Sequence, residues 1–355
     1  MNDLHSRCHR PLAPVDFSAV QLPLASVPRP RSVVGLLCGI LLLLTLPARA
    51  LEPASITFIA VSDTHYAIPD PKQGDVDMNV GKRKIVASMN ALEGKKFPSA
   101  LKGEKIGKPL GVLVAGDLIN GGRDPDAKAQ LKLWTRDFGL TGTDSEVLKL
   151  PVYETWGNHD GGKIVPGFIA DRNRKRVGIT PPTGGAGPSY SWDWGPLHLV
   201  SVGMYPGNAN ESKHKSPGYD PHKSLEFLTD DLAKSVGDSK RPVLVMQHLN
   251  LPNDSDEWWT AAQRDAYLEV LKKYNVVAIV DGHEGGGLWQ WNGIDVLGCN
   301  DINGGYWVVQ IEGKRLIAAR TRNGESWNDR AVLNKTIETG KPAGKPAPPG
   351  LHSGK

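Results

Sequence analysis

Five short apolar runs recur along the chain, separated by segments rich in polar residues and glycine. They lie at 56–62, 110–115, 152–156, 243–247 and 276–280. Continuous apolar runs of this length are typical of strands that are buried on both faces of a sheet. The pattern therefore predicts a core of short buried strands.

Helical periodicity appears between these runs. Apolar residues share one helical face over 225–236, after the pair Asp220-Pro221, which predicts an N-cap and first turn. The i, i+3, i+4, i+7 spacing over 267–274 predicts a second helix. Further strands are predicted at 190–195 and 197–202, as an antiparallel pair, and within 287–322, between glycine-rich turns. Strands that alternate with helices and end in a β-rich part predict an α/β fold.

The first 50 residues have the features of a secretory signal peptide with an extended n-region. Arg29 and Arg31 precede an apolar stretch at 32–46, and an A-x-A site follows at 47–50. The stretch is shorter than the ~18–20 residues that a membrane-spanning helix needs. We therefore expect cleavage after Ala50, export to the periplasm or secretion, and no stable membrane insertion afterwards. The alternative is an uncleaved membrane anchor.

Charge excludes one class of partner. The whole sequence has 42 basic and 38 acidic residues, but residues 1–50 hold five Arg and only two Asp, so the mature chain is almost neutral. We therefore predict no nucleic-acid binding. The cluster Arg172, Arg174, Lys175 and Arg176 predicts a solvated helix face, with attraction of an anionic substrate as the alternative.

The organisation predicted after residue 50 is simple. Residues 51–335 form one continuous domain, and 336–355 form a disordered tail rich in Pro, Gly and Lys. The oligomeric state is left open by the sequence.

Residue types that bind metals follow all five apolar runs. The segments are Asp63-Thr64-His65, Gly116-Asp117, Gly157-Asn158-His159-Asp160, Gln247-His248 and Gly282-His283. Because open α/β sheets bind ligands at the carboxyl ends of their strands, we expect these side chains to converge. Mixed oxygen and imidazole ligands suit Mn, Fe or Zn. Two ions ~3.5–4 Å apart need a bridging carboxylate, and Asp117 is the candidate.

The order of these segments resembles the calcineurin-like metallophosphoesterases, whose pattern runs D-x-H, G-D, G-N-H-D/E, H and G-H-x-H. The resemblance covers about residues 55–325 and implies a two-sheet α/β/β/α sandwich that binds two divalent ions. It implies that Asp63, His65 and Asp117 bind the first ion, and that Asp117, Asn158, His248 and His283 bind the second. It also implies that His159 is not a ligand but donates a proton or hydrogen bond to the leaving group, with Asp160 orienting its ring.

The last segment departs from the family pattern. It ends Gly282-His283-Glu284-Gly285, so glycine replaces the histidine that ligates the first ion. Either the first site is weak, with the gap open or filled by Glu284, His214, His222, Asp301 or Asn303, or it is empty. We expect Gly285→His to tighten metal binding.

The function predicted from these features is an exported metal-dependent phosphoesterase. A metal-activated water would attack phosphomonoesters or phosphodiesters, either small molecules or phospholipid headgroups. The first alternative is a catalytically degenerate protein of the same fold that binds an anionic ligand. A single-metal hydrolase of another ester is the second.

Overall fold

A computed structural model describes residues 55–340, except for 70–71, 73–75, 122–123, 161, 184–186 and 252–257. The predicted signal peptide at 1–50 and residues 341–355 of the predicted tail lie outside the described residues. The described residues belong to one compact unit. Among the described residues, no helix combines the length and apolar character that crossing a membrane requires.

The secondary structure alternates between strands and helices before it ends in strands. The strands are β1 (Ile56–Val61), β2 (Pro109–Val114), β3 (Val152–Glu154), β4 (Ile179–Thr180), β5 (Tyr190–Trp194), β6 (Leu197–Ser201), β7 (Val243–Met246), β8 (Val276–Asp281), β9 (Gly287–Trp291), β10 (Ile294–Gly298), β11 (Trp307–Glu312), β12 (Arg315–Arg322) and β13 (Ser326–Thr336). The helices are α1 (Val80–Met89), α2 (Asp124–Phe138), α3 (Ile164–Asn173), α4 (Ser224–Ser235) and α5 (Ala261–Leu271).

The strands form two mixed sheets. One has the order β13-β12-β11-β1-β2-β3, and the other has the order β4-β5-β6-β7-β8-β10-β9. Strands β1, β2 and β3 pair in parallel in the first sheet, and β6, β7 and β8 do so in the second. This arrangement confirms the predicted two-sheet α/β sandwich, and it brings the carboxyl ends of parallel strands together within each sheet.

The five apolar runs form strands, as predicted, and these strands are buried except for Leu110 of β2, which is 40% exposed, and a few half-buried positions. Every residue of β1 and of β7 is buried. The two sheets also touch through aromatic rings, since the ring centroids of Phe58 on β1 and Trp194 on β5 lie 5.5 Å apart. The predicted hairpin is confirmed as the antiparallel pair β5 and β6.

Both predicted helices form, but their starts differ from the prediction. Helix α4 begins after Lys223, which has no side-chain cap bond, and the Asp220 carboxylate accepts the His222 N–H at 2.8 Å instead. The predicted cap is wrong because His222 and Lys223 are both left-handed, with φ of 53° and 54°. Helix α5 begins earlier than predicted, at a capping box formed by Thr260 and Gln263.

The basic cluster at the C-terminal end of α3 does not form the solvated face that the sequence predicts. The Arg172 and Arg176 side chains are only 7% and 5% exposed, and both pair with the buried carboxylate of Glu154 on β3. Arg174 is exposed, as predicted. Two of the four basic residues therefore fix α3 to the first sheet.

The end of the packed region lies slightly beyond the predicted boundary at residue 335. Strand β13 continues to Thr336, and Ile337 is only 6% exposed. The Ile337 N–H donates to the Lys314 carbonyl at 2.7 Å. Residues 336 and 337 are therefore part of the folded domain.

Candidate metal centre

The loops that follow β1 and β2 run side by side. The Asp63 N–H donates to the Gly116 carbonyl, and the His65 N–H donates to the Asp117 carbonyl, both at 3.0 Å. Asp63, His65 and Asp117 all have positive φ, at 50°, 39° and 49°, a conformation that is uncommon for residues with side chains. Backbone strain of this kind clusters at functional sites, where the surrounding structure maintains it.

The four residues predicted to bind the second ion lie together. The Nε2 atom of His248 lies 3.4 Å from Asp117 Oδ2 and 2.8 Å from Asn158 Oδ1. The Nδ1 atom of His283 lies 3.0 Å from the same Asn158 oxygen. His248 is fully buried. The ends of β2, β3, β7 and β8 therefore supply one continuous group of ligand atoms.

The three residues predicted to bind the first ion form a neighbouring group. The Nε2 atom of His65 lies 3.6 Å from Asp63 Oδ1 and 3.7 Å from Asp117 Oδ2. Asp117 Oδ2 therefore faces both His65 and His248, which is the arrangement that a bridging carboxylate needs. The Nδ1 atom of His65 is buried without a hydrogen-bond partner among the described residues.

Both groups fit divalent metal ions. Atoms of Asp63, Asp117 and His248 lie within 4.8 Å of one another, and Asp63 and Asp117 are only 2% and 1% exposed. The imidazole nitrogens of His65 and His248 lie 3.4 to 3.7 Å from the carboxylate oxygens of Asp63 and Asp117, which is longer than a good hydrogen bond. Buried charges in proteins are paired or coordinate metals.

The electrostatics of the second group favour a cation. Burial acts to raise the pKa of Asp117, but the neighbouring His248 outweighs it and holds this pKa at about 2. Burial acts to lower the pKa of His248, but the Asp117 carboxylate outweighs it and raises this pKa to about 10. Burial and the charge of His248 lower the pKa of His283 to about 4. A bound metal would take the place of the proton on His248.

Asp160 does not have the role predicted for it. Its buried carboxylate accepts the N–H groups of Leu118, Ile119 and Gly157 at 3.0, 3.1 and 2.9 Å. The His159 ring instead places its Nδ1 atom 3.1 Å from the Asn120 carbonyl. The prediction that Asp160 orients the ring is wrong, because both carboxylate oxygens are engaged by backbone donors.

Asp160 instead fixes the backbone beneath the centre. Its three hydrogen bonds join the loop after β2 to the loop after β3, which carry Asp117 and Asn158. Burial and the charge of Asp117 raise the pKa of Asp160 to about 7, although the three N–H donors act in the opposite direction.

None of the histidine and acidic residues proposed to replace the histidine missing at position 285 joins a ligand group among the described residues. The His214 ring stacks on Trp258 at 4.4 Å, and the His222 ring lies 5.5 Å from Trp156. Asp301 Oδ1 accepts the Asn303 N–H at 2.7 Å. Gly285 has φ of 66°, and a Cβ atom built there would meet nothing within 4 Å.

Two neighbours of the centre were not identified from the sequence. The Lys82 ammonium group on α1 donates a hydrogen bond to the His65 carbonyl. The Trp258 ring lies 5.0 Å from that of His283, and Tyr219 and His214 pack against it in turn. No local motif marks Lys82, whose helix meets the loop after β1 only in the folded chain.

Together, the strand-end ligands and the shared Asp117 carboxylate define a candidate binuclear metal centre on a two-sheet α/β sandwich. The family model of the calcineurin-like phosphoesterases matches residues 56–286. This match covers more than half of the chain, so the protein belongs to the calcineurin-like phosphoesterase family. A comparison with curated proteins finds no significant sequence match.

Solved structures of the same fold are distant in sequence. GAP50, the anchor in the inner membrane complex of Plasmodium, has a TM-score of 0.53 at 11% identity, over 81% of this chain and 90% of that one. The calcineurin-like phosphoesterase YfkN from Bacillus subtilis has a TM-score of 0.38 at 12% identity, over 81% and 91% of the two chains. A putative 5′-nucleotidase from Staphylococcus aureus has a TM-score of 0.40 at 12% identity, over 80% of this chain and 54% of that one. At these identities, the likeness to GAP50 shows the fold alone.

Proposed function

We propose that the protein is an exported, metal-dependent phosphoesterase that hydrolyses phosphomonoesters or phosphodiesters. The observation that carries this proposal is the position of Asp117 Oδ2, which lies 3.7 Å from His65 Nε2 and 3.4 Å from His248 Nε2. One carboxylate oxygen thus faces ligands of two adjacent groups. Centres of this kind catalyse in-line displacement at phosphorus.

The residues that would hold the ions are Asp63, His65 and Asp117 on one side, and Asp117, Asn158, His248 and His283 on the other. When bound, two divalent ions of Mn, Fe or Zn would supply a nucleophile at neutral pH and neutralise charge on the phosphoryl oxygens.

The chain itself pre-organises this centre. The His283 N–H donates to Asp63 Oδ2 at 3.0 Å, which links the loop after β8 to the loop after β1. The His159 N–H donates to Asp117 Oδ1 at 2.9 Å, which leaves Oδ2 free to face the two imidazoles. The His248 Nδ1 atom lies 2.9 Å from the Ala115 carbonyl, an arrangement that typically fixes the orientation of a metal-binding imidazole.

The proposal also includes where the protein acts and which class of substrate it hydrolyses. The signal-peptide features of residues 1–50 support an extracytoplasmic location. Small phosphate esters or phospholipid headgroups are the proposed substrates, because the near-neutral mature chain offers no electrostatic basis for binding nucleic acid. Secretion of a reporter fused after Ala50, compared with one that lacks residues 1–50, tests the location.

Hydrolysis of mono- and bis-p-nitrophenyl phosphate by the mature protein tests the activity. We expect turnover that depends on added Mn, Fe or Zn. The Asp117→Asn variant should lose at least about 10³-fold, because the contribution of the ions is several kcal/mol and each 1.36 kcal/mol is tenfold in rate.

The exposed Asp171→Asn variant is the matched control, since this carboxylate pairs with Arg174 at the solvent-exposed end of α3. It should retain wild-type turnover. A folded wild-type protein with no turnover in any of the three metals would contradict the proposal.

A second function is favoured by one observation. Gly285 supplies no ligand where the family pattern has histidine. A binding protein for an anionic ligand would use the same cleft without hydrolysis. A protein that takes up no metal after reconstitution, and yet binds inorganic phosphate, would favour this second function.

A further inference from the structure

The first ion would have an incomplete set of protein ligands. Gly285 removes one imidazole, which leaves Asp63, His65 and Asp117. Catalytic metal sites commonly have three protein ligands and an open position, but a shared carboxylate contributes only part of its charge to each ion. Any replacement ligand has to come from another part of the centre.

His159 lies beside the residues of the first ligand group. Ligand atoms of His65, Asp117 and His159 all lie within 4.8 Å of one another. The rings of His65 and His159 are 4.7 Å apart between centroids and meet at 80°. Two imidazoles that meet edge to face beside a carboxylate can direct their ring nitrogens at one point.

The other ring nitrogen of His159 is already engaged. Its Nδ1 atom lies 3.1 Å from the Asn120 carbonyl, which can only accept, so Nδ1 carries the proton. The lone pair is then on Nε2. A histidine that binds a metal almost always donates its second N–H to a carbonyl or carboxylate, which fixes the tautomer and the ring orientation.

The chain accommodates this contact at Gly121. A Cβ atom at this position would lie 3.2 Å from the His159 carbonyl oxygen, which is closer than most real Cβ contacts. Gly121 also has φ of 90°, which residues with side chains rarely adopt. Glycine therefore lets the Asn120 carbonyl approach the imidazole.

We propose that Nε2 of His159 is a ligand of the first ion and replaces the imidazole that is missing at Gly285. This inference rests on the proposed binuclear centre and differs from the proton-donor role that the family resemblance implies for His159. The first ion then has Asp63, His65, Asp117 and His159, and the second has Asp117, Asn158, His248 and His283. Both halves of the centre then have four ligands.

Metal binding of the mature protein tests this assignment. Zinc bound per chain is measured by elemental analysis, and dissociation constants are measured by calorimetry. We expect two ions for the wild type. His159→Ala should weaken one of them by at least about tenfold, given that losing even a group that supports a ligand costs 10–100-fold in affinity. His222→Ala, an exposed histidine on a nearby loop, should keep both ions.

The wild-type protein gives a readout that needs no mutation. When Co²⁺ occupies a metal site, the exchangeable N–H protons of the ligating imidazoles shift far outside the normal NMR range. The assignment predicts four such protons, from His65, His159, His248 and His283. Three such protons, with two ions bound, would overturn it.

The outcomes separate this inference from the proposed function. If His159→Ala keeps two ions at wild-type affinity and loses activity only on esters with poor leaving groups, His159 is a proton donor and the inference alone fails. If the wild type takes up fewer than two ions, both the inference and the binuclear centre fail.

Discussion

The protein has two clusters in which histidine side chains face carboxylates, one at the metal centre and one around His198 on β6. They differ in the distance between the imidazole nitrogens and the carboxylate oxygens. At the metal centre, His65 Nε2 lies 3.6 Å from Asp63 Oδ1 and 3.7 Å from Asp117 Oδ2. Elsewhere, His198 on β6 lies 2.7 Å from Asp193 through Nδ1 and 2.7 Å from Asp231 through Nε2. The first cluster leaves separations beyond hydrogen-bond length, and the second does not.

The two aspartates around His198 each have a further polar partner. Arg241 lies 2.8 Å from Asp193, and the Ser191 hydroxyl donates to Asp231 at 2.6 Å. A closed network of this kind holds β5, β6 and α4 together through short contacts. The longer imidazole–carboxylate separations at the metal centre suit an ion held between the groups. The difference shows that burial and a shifted pKa alone do not identify a functional histidine.

The closed cluster should contribute more to stability. His198→Gln removes an imidazole that contacts two carboxylates. We expect the free energy of unfolding to fall by about 3 kcal/mol. This value is at the lower end of the range for a broken buried ion pair, because the Asp193 side chain is partly exposed. Burial lowers the pKa of His198, but the two aspartates outweigh it, and the net shift is upward. Protonated His198 therefore stabilises fully below pH 6.5, and this contribution is lost as pH rises through the raised pKa.

Urea unfolding at pH 6 and at pH 9 measures this effect. The difference between wild type and His198→Gln should be larger at pH 6 than at pH 9. Metal binding should be unchanged in His198→Gln. An equal difference at both pH values would show that the pKa of His198 is not raised in the folded protein.

The open cluster should gain stability from metal. Added Mn or Zn at 100 times the dissociation constant should stabilise the folded protein by about 2.7 kcal/mol per site. Thermal unfolding with and without metal measures the gain. His198→Gln should keep it, and Asp117→Asn should lose it. A gain that survives in Asp117→Asn would place the binding site elsewhere.

A smaller effect is expected at position 285. Gly285→His restores the residue of the family pattern in open space, so we expect tighter binding of the first ion and faster hydrolysis, by up to about tenfold, or 1.4 kcal/mol. The positive φ of 66° reduces the gain. Calorimetry and p-nitrophenyl phosphate hydrolysis measure it. If both stay unchanged, position 285 does not face the centre.

Much of the fold could be predicted because its signals are local. The runs that became β1 and β7 are continuous and apolar, and each precedes its ligand residues directly in the sequence. The family pattern indicated which of these residues would share Asp117. The structure brings all six predicted ligands together, because parallel strands end at the same edge of a sheet.

The remaining features depend on partners that are distant in the sequence. Asp160 directly follows His159, which suggested a contact between the two side chains, but its acceptors are taken by N–H groups of the loop after β2. The pairing of Arg172 and Arg176 with Glu154 is likewise invisible to periodicity. The start of α4 was missed because left-handed residues other than glycine have no clear sequence signal.

The most direct test of the proposed metal centre is a crystal structure of residues 51–355 grown with Mn or Zn, with anomalous scattering measured to locate the ions. We expect two peaks about 3.5–4 Å apart, both contacting Asp117. We also expect His159 Nε2 to contact the peak beside His65. Ordered density for the loops without a peak at Asp117 would contradict the metal centre and the phosphoesterase function that depends on it.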